Sequence, residues 1–364
     1  MKITTILGNG YDIQYGMKTG YLDFYKWVYK FRSGKKFDDS KPVEEWPDLT
    51  DKMDYLIYRE IKADSENWSD FEQGLCTFCK ENLENEPDES KREKFAQNVL
   101  QSLDFVRDDL IEYLNLEQKK LVFSESDDSK PVMNTTMQNL LGGLKPKELQ
   151  SIRSMIRSLH LISDYTTLGF VSFNYTATAE KVLRSITNID DRQIFSNTRK
   201  TFAVDRKILH VHGVLEGLVM LGGDNYNQIG GKMFPKVLEK YILKPESLKN
   251  DGELIYEKMV DTIDKTDVFV TFGLSFGQTD QTYWNMIAHN LLTNSDHFLI
   301  INQYNRNHSR QSSYRLEDME RRATKDLFLN HLNINDKEKQ AVEDRIFVKY
   351  NNQQFMRAEY KYKG

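Results

Sequence analysis

The run Lys2–Leu7, KITTIL, stops abruptly at Gly8-Asn9-Gly10, and this junction constrains the fold more than any other stretch of the chain. Six compact, apolar and β-branched residues read as a buried strand. Paired glycines directly after a strand require a sharp turn, or a backbone that must lie close to something else. Four later runs repeat the pattern: Leu168–Thr176, Lys207–Gly213, Asp267–Ser275 and His297–Gln303. Several of them end in small or polar residues, and helical spacing separates at least some. Strand, polar turn, helix, strand is the order of a parallel α/β sheet. Ligands of such open sheets bind beyond the carboxyl ends of the strands. Four ends carry polar residues here: Gly8–Asp12, Asn174–Thr176, His212–Gly213 and Gly273–Ser275.

The chain of 364 residues fits one large domain carrying an insertion. Tyr11 to Phe31 reads as helix after the glycine loop, and Gly34 to Pro47, with two prolines, as a linker. Phe95, Val99, Leu103, Val106, Leu110 and Leu114 then recur at three- and four-residue intervals, as do Leu149, Ile152, Ile156 and Leu159. Both sets are amphipathic helices. Ser124–Asn134 between them is polar and turn-rich. The expected architecture is therefore a Rossmann-like α/β core with a mostly parallel sheet, residues 1–39 and 166–364, and a large helical insertion, residues 40–165, after the first β-α unit.

With 39% hydrophobic and 12% aromatic residues the chain can bury a substantial core. A net charge of −5 with both signs interspersed argues against a globally electrostatic nucleic-acid binder. Two cysteines, Cys76 and Cys79, exclude a disulfide framework and a four-thiolate zinc site. Their C-x-x-C lies inside a helical pattern, not at a helix start where the dipole would activate a thiol. The opening residues are too short an apolar run for a signal peptide, and no stretch approaches a membrane span. A cytoplasmic, soluble protein is expected.

Each polar strand end admits two readings. The Gly8–Gly10 pair fits a loop under a phosphate, although Ile13 stands where the third glycine of G-x-G-x-x-G belongs, and it fits a plain turn equally well. Asn174 and Thr176 either cap the following helix or present polar groups to a pocket. His210 and His212, two apart on an expected strand, face one side. A metal pair would need further ligands that no cluster supplies, so no metal is expected. His212, beside Gly213, is the better general base, and His210 supports the fold. Ser275 and Asn302 can hold a ribose or simply end strands, and Thr279 or Asp280 can cap a helix. Ser69 and Glu72 match a capping box, with Trp68 at the helix entry.

Taken together, GNGYDIQYGMKTGYLDF, NWSDFE, SFNYTATAEKVL, HVHG and FGLSFGQTDQTYW resemble the AbiH-like family of bacterial phage abortive-infection proteins. The same ordered set resembles a divergent form of the wider sirtuin-like NAD-binding superfamily. That resemblance implies a dinucleotide loop at Gly8, Asn9 and Gly10, catalytic roles for Asn174 and His212, and nucleotide contacts at Asp12, Thr176, Gly213, Gly273, Ser275 and Asn302. Two positions depart from it: Thr176 stands where an acid is usual, and Asp12 where the loop has a serine. The zinc ribbon of the protein deacylases cannot exist with two cysteines, which leaves the NAD hydrolases of phage defence as the nearer analogue.

The resemblance thus implies an antiviral-defence toxin that cleaves NAD to nicotinamide and ADP-ribose. His212 polarises or deprotonates a ribose hydroxyl, Asn174 positions the water or the ribose, and Asp12 orients the nicotinamide end. A phage-derived trigger and a homo-oligomer are implied partners, with the insertion as the sensor or interface. Three alternatives stay open: a nucleotide-binding sensor without turnover, favoured by Thr176; a nuclease or RNA-directed toxin, favoured only by the basic, aromatic end Phe355–Gly364; and a plain structural interaction module, which the clustered polar strand ends disfavour.

Overall fold

The computed structural model describes residues 1–32, 56–60, 68–123, 140–162, 165–184, 201–251, 253–303, 314–350 and 355–364, with isolated positions at 34, 38, 40, 41, 45 and 136. Most of the expected linker 34–47 and all of the turn-rich stretch 124–134 lie outside the described residues. Six strands form one sheet: β1 (Lys2–Leu7), β3 (Tyr165–Ser172), β4 (Thr201–His210), β5 (Val268–Phe272), β6 (Phe298–Gln303) and β7 (Ile346–Tyr350). All five pairings between them are parallel, and the spatial order is β4-β3-β1-β5-β6-β7. Numbered along the chain these six run 3-2-1-4-5-6, the doubly wound order of Rossmann folds. The chain therefore has the expected mostly parallel α/β fold.

Strand alternation explains why the sheet is covered on both faces. Ile3 and Leu7 of β1, Val268, Val270 and Phe272 of β5, and Phe298 and Ile300 of β6 enter one core. Ile6, Phe269, Leu299 and Ile301 enter the other. The first face is covered by the helix Pro146–Ile162 through Ile152, Ile156 and Leu159, and by the helix Thr178–Arg184 through Val182 and Leu183. The second is covered by the helices Glu253–Asp264, Gln281–Thr293 and Tyr314–Asn330, with Met259, Trp284 and Phe328 at the centre.

A third core unites the helices Leu56–Glu60, Trp68–Glu84 and Glu89–Lys120 with Tyr21–Phe31 and with apolar residues between 215 and 243. Packing therefore divides the expected insertion. Residues up to Leu114 share this third core, whereas Pro146–Ile162 lies on the sheet. The first stretch after the glycine loop is also two helices, Gly10–Ile13 and Tyr21–Phe31, interrupted where Gly16 takes φ +80°.

A two-stranded antiparallel ladder ties the layers together. β2 (Leu121–Phe123), at the end of the long helix, pairs with β8 (Tyr360–Tyr362). Phe355 and Met356 are buried, and the Tyr362 hydroxyl donates to Glu117 at 2.5 Å. The basic end that offered the nuclease reading its support is thus part of the framework. Among the described residues no helix is long and apolar enough to cross a membrane. Cys76 and Cys79 are buried in the helix Trp68–Glu84, where burial pushes the Cys76 thiol up to about 12.

At the centre of the sheet the loop after β1 lies directly on the loop after β5. Gly8 N–H donates to the Phe272 carbonyl at 2.9 Å and Gly10 N–H to the Gly273 carbonyl at 3.0 Å. A Cβ on Gly273, which has φ +71°, would stand 2.6 Å from the Gly10 Cα. Backbone, not a flexible side chain, occupies that space. Gly273→Ala is expected to combine left-handed strain with this clash and to cost several kcal/mol, whereas Gly143→Ala, at φ +82° with nothing nearby, should lose only about 1 kcal/mol. Urea unfolding of the two variants checks this, and equal losses would contradict it.

Candidate functional site

The switch from leftward to rightward winding falls between β1 and β5, and a cavity of about 440 Å³ opens there at the carboxyl ends of the strands. The first loop contributes Gly8, Asn9, Gly10 and Asp12 to its wall, and the loop after β3 contributes Asn174 and Thr176. His212 follows β4, Gly273 and Ser275 follow β5, and Asn302 ends β6. Sites on five strands, spread over nearly 300 residues of sequence, are thus brought to one cavity. Its size is within the usual range for small-molecule sites, roughly 300–1,000 Å³.

Gly213 does not line it. This glycine has φ +90°, and a Cβ there would meet the Leu218 carbonyl at 1.6 Å, so its place in the sequence reflects a tight turn. The strand before it ends at His210, and the two histidines take different partners. His210 binds the Asn174 carbonyl through Nδ1 at 2.7 Å and Glu180 through Nε2 at 2.5 Å. Burial opposes a charge on this ring, but Glu180 outweighs it and raises the pKa. His210 is thus built into the framework beside the cavity.

The loop residues are held by one another. Asn174 Nδ2 donates to the Gly8 carbonyl at 3.0 Å, and Asn9 exchanges bonds with Thr19 through both side-chain atoms. Neither Asn174 nor Thr176 acts as a helix cap. Thr176 Oγ1 donates instead to Asp12 Oδ2 at 2.6 Å, while Gln118 of the long helix accepts from Ala177 N–H at 2.7 Å. Tyr11 and Asp12 N–H turn back to the Gly8 and Asn9 carbonyls, and Gly8 and Gly10 N–H go to the loop after β5, so these donors are taken up within the protein. The second loop differs. Leu274, Phe276 and Gly277 N–H have no partner among the described residues, and Phe276 holds φ +54°, a strained value for a non-glycine residue.

Asp12 is 1% exposed, and its Oδ1 meets no donor among the described residues. Burial pushes its carboxyl up to about 6, against the pull of the Thr176 and Thr178 hydroxyls. Asn302 shows the same incompleteness: Nδ2 donates to the Thr271 carbonyl at 3.0 Å, and Oδ1 is buried without a partner among the described residues. Buried polar atoms are normally paired, so two unpaired acceptors on one cavity mark it as a place for a ligand's donors.

Opposite them lies a charged cluster that single motifs did not reveal. His212 Nε2 is 2.8 Å from Asp280 Oδ1. Lys244 Nζ donates to that same oxygen at 2.9 Å and to Glu72 Oε2 at 2.7 Å. Thr279 Oγ1 donates to Glu72 Oε2 at 2.8 Å, and Gly222 N–H to Oε1 at 3.3 Å. Against the effect of burial, Lys244 and His212 hold the Asp280 carboxyl well below the usual carboxylate range. Burial likewise opposes the charge on Lys244, yet the two carboxylates raise its pKa. Glu72 is raised by burial because one ammonium serves two acids and Asp280 takes the larger share. With Asp280 ionised, His212 Nε2 carries its proton toward the carboxylate, and Nδ1 is left as an acceptor. Phe173 packs edge-on against the ring at 4.9 Å and fixes its plane.

Two corrections follow. Glu72 does not close a capping box, because the helix begins at Trp68 and the Glu72 side chain is committed to Lys244 and Thr279. The side chains of Trp68 and Ser69 lie outside the described residues. Asp280 stands at the head of the helix Gln281–Thr293 but makes no capping bond. Lys244 carries no sequence signal at all.

The description "Bacteriophage abortive infection AbiH" belongs to a family model that matches residues 5–302, a span holding every candidate position from Gly8 to Asn302. No curated protein matches the chain.

Asp12 supplies a stability test with a definite sign. Its folded-state pKa of about 6 lies above the usual 3.8, so the folded state favours the protonated form. The stability this contributes is complete below about pH 4 and is lost as pH rises through 6. Asp12→Asn, which keeps an acceptor for Thr176, should raise stability at pH 7.5 by on the order of 2–3 kcal/mol and change little at pH 4. Lys244→Met should do the reverse, costing about 3–5 kcal/mol by leaving two buried carboxylates without their cation. Thermal and urea unfolding at both pH values measure the two effects.

Proposed function

The chain belongs to the bacteriophage abortive infection AbiH family, and from that membership and the cavity at the switch point we propose that it is a phage-defence effector that cleaves NAD to nicotinamide and ADP-ribose. The observation that carries the reading is His212, held at Nε2 by an ionised Asp280 with Nδ1 free of partners among the described residues, on the wall of the cavity. That arrangement makes one ring nitrogen a base toward a bound ribose hydroxyl, and Lys244 keeps the orienting carboxylate charged.

The lining suits a dinucleotide. The unpartnered acceptors at Asp12 and Asn302 match ribose hydroxyl donors. The N–H groups of Leu274, Phe276 and Gly277, without a partner among the described residues, match phosphate oxygens, with Ser275 beside them. The glycines at 8 and 10 let this second loop approach so closely, and Asn9 fixes the first loop through Thr19. Positive charge develops on the ribose as the nicotinamide leaves, and an acid-rich wall lowers the energy of that state. The two departures from the sirtuin-like pattern also meet: Asp12 and Thr176 are hydrogen-bonded partners, so the acid and the hydroxyl are both present with their positions exchanged.

Such an activity harms its own cell, which is the reason to expect a trigger. Glu72 and Leu114 of the helical layer reach the cavity wall, so anything that shifts that layer changes the site. A second reading, a nucleotide sensor without turnover, uses the same cavity.

Nicotinamide and ADP-ribose release by the purified protein, with and without phage-infected lysate, tests the proposal. The wild type should form both products, and His212→Ala should lower the rate by about 10²–10⁴-fold while NAD still binds. Binding without products under either condition would favour the sensor, and neither binding nor cleavage would overturn the reading.

A further inference from the structure

Among the described residues three acids line the cavity, and two of them, Glu72 and Asp280, are tied to Lys244. The third is Asp12. It is as deeply buried as they are, yet no cation lies within salt-bridge distance of it among the described residues. Its Oδ2 is fixed by the Thr176 hydroxyl, which Thr178 Oγ1 contacts in turn at 3.2 Å. Its Oδ1 is open.

The groups facing Asp12 do not remove this deficit. From β4 comes His210, whose ring nitrogens are engaged by Glu180 and the Asn174 carbonyl. From the helix Thr178–Arg184 come Glu180, which disfavours a second negative charge, and the part-buried Lys181, which gains only a distant attraction. From its own segment come Tyr11 and Tyr15, whose hydroxyls turn to the Met356 carbonyl. A protein built for stability alone would place an amide here. The carboxyl is retained at the head of a ligand cavity, where a cost to stability commonly accompanies chemistry.

We propose that Asp12 is a catalytic residue of this site, its Oδ1 acting as general base toward the water that attacks the ribose carbon, with Thr176 as its positioning residue. The inference rests on the NAD-cleavage reading above. In the step, the C1′–N bond breaks and its electron pair remains on the nicotinamide nitrogen, which becomes neutral. The water oxygen bonds to C1′ and its proton passes to Asp12, which later releases it to solvent. NAD and water thus give nicotinamide, ADP-ribose and one proton. His212 is left to the ribose hydroxyl, so the two groups act on different atoms.

The test is the pH dependence of NAD cleavage by the full-length wild type, D12N and T176V, with NAD affinity by calorimetry and thermal stability recorded for each. The wild-type rate should fall on the acid side near pH 6, where Asp12 takes its proton. T176V removes the hydrogen bond that favours the ionised form, so its acid limb should move to higher pH. D12N should lose about 10²–10⁴-fold in kcat with NAD affinity retained, while remaining at least as stable as the wild type at neutral pH. Wild-type cleavage with an unimpaired D12N, or an acid limb that T176V does not move, would overturn this assignment alone. Absence of cleavage by the wild type would overturn it together with the reading on which it rests.

Discussion

One buried ammonium holds the two halves of this protein to a common geometry. Lys244 is 2% exposed, and it reaches Glu72 on a helix of the inserted layer and Asp280 on the loop after β5. Burying three charges is expensive unless each finds partners, and here every one does. The result fixes more than distance. Asp280 is kept ionised, the His212 ring is turned to meet it, and the inserted layer cannot leave without exposing the cluster. The helices after Tyr21 are therefore part of the site and not an attachment to it.

A second constraint is purely steric. The loops after β1 and β5 touch backbone to backbone, which only glycine at 8, 10 and 273 permits. This contact closes the floor of the cavity and leaves the N–H groups of Leu274, Phe276 and Gly277 without a partner among the described residues. Rigid floor, charged wall and an incompletely satisfied carboxyl form a graded arrangement. The parts that orient are fully bonded, and the parts that would meet a ligand are not.

Much of this was legible in the residues, and the remainder was hidden for identifiable reasons. The strand at Lys2–Leu7 and the polar ends after four later strands predict a doubly wound sheet and ten of the residues on the cavity wall. They could be read because parallel sheets place function at strand ends and bury both faces. Gly213 misled, since a glycine needed for a turn looks the same as one needed beside a ligand. Glu72 looked like the third residue of a capping box, and Asp280 like a helix cap, because local rules describe local partners only. Their true partner, Lys244, lies 172 residues from one and 36 from the other. The sixth strand, Ile346–Tyr350, escaped because Lys349 interrupts its apolar run; the structure buries that lysine and donates its Nζ to the Leu140 carbonyl at 3.0 Å. β2 and β8 are three residues each, too short for any periodicity to register.

The placement of β1 at the middle of the sheet has a consequence for how the molecule comes into being. It is made before its two neighbours, β3 and β5, and Lys2 N–H meets Asp267 across 265 positions of chain. Contacts so distant in sequence form slowly, because a long loop must close before they give anything back. During translation one edge of the central strand can meet β3 once residue 172 has emerged, but the other waits unpaired until residue 272. The floor of the cavity, which needs the two glycine loops in contact, cannot exist earlier than that. A growing chain is thus without its site until the loop after β5 exists, long after the loop after β1 has been made.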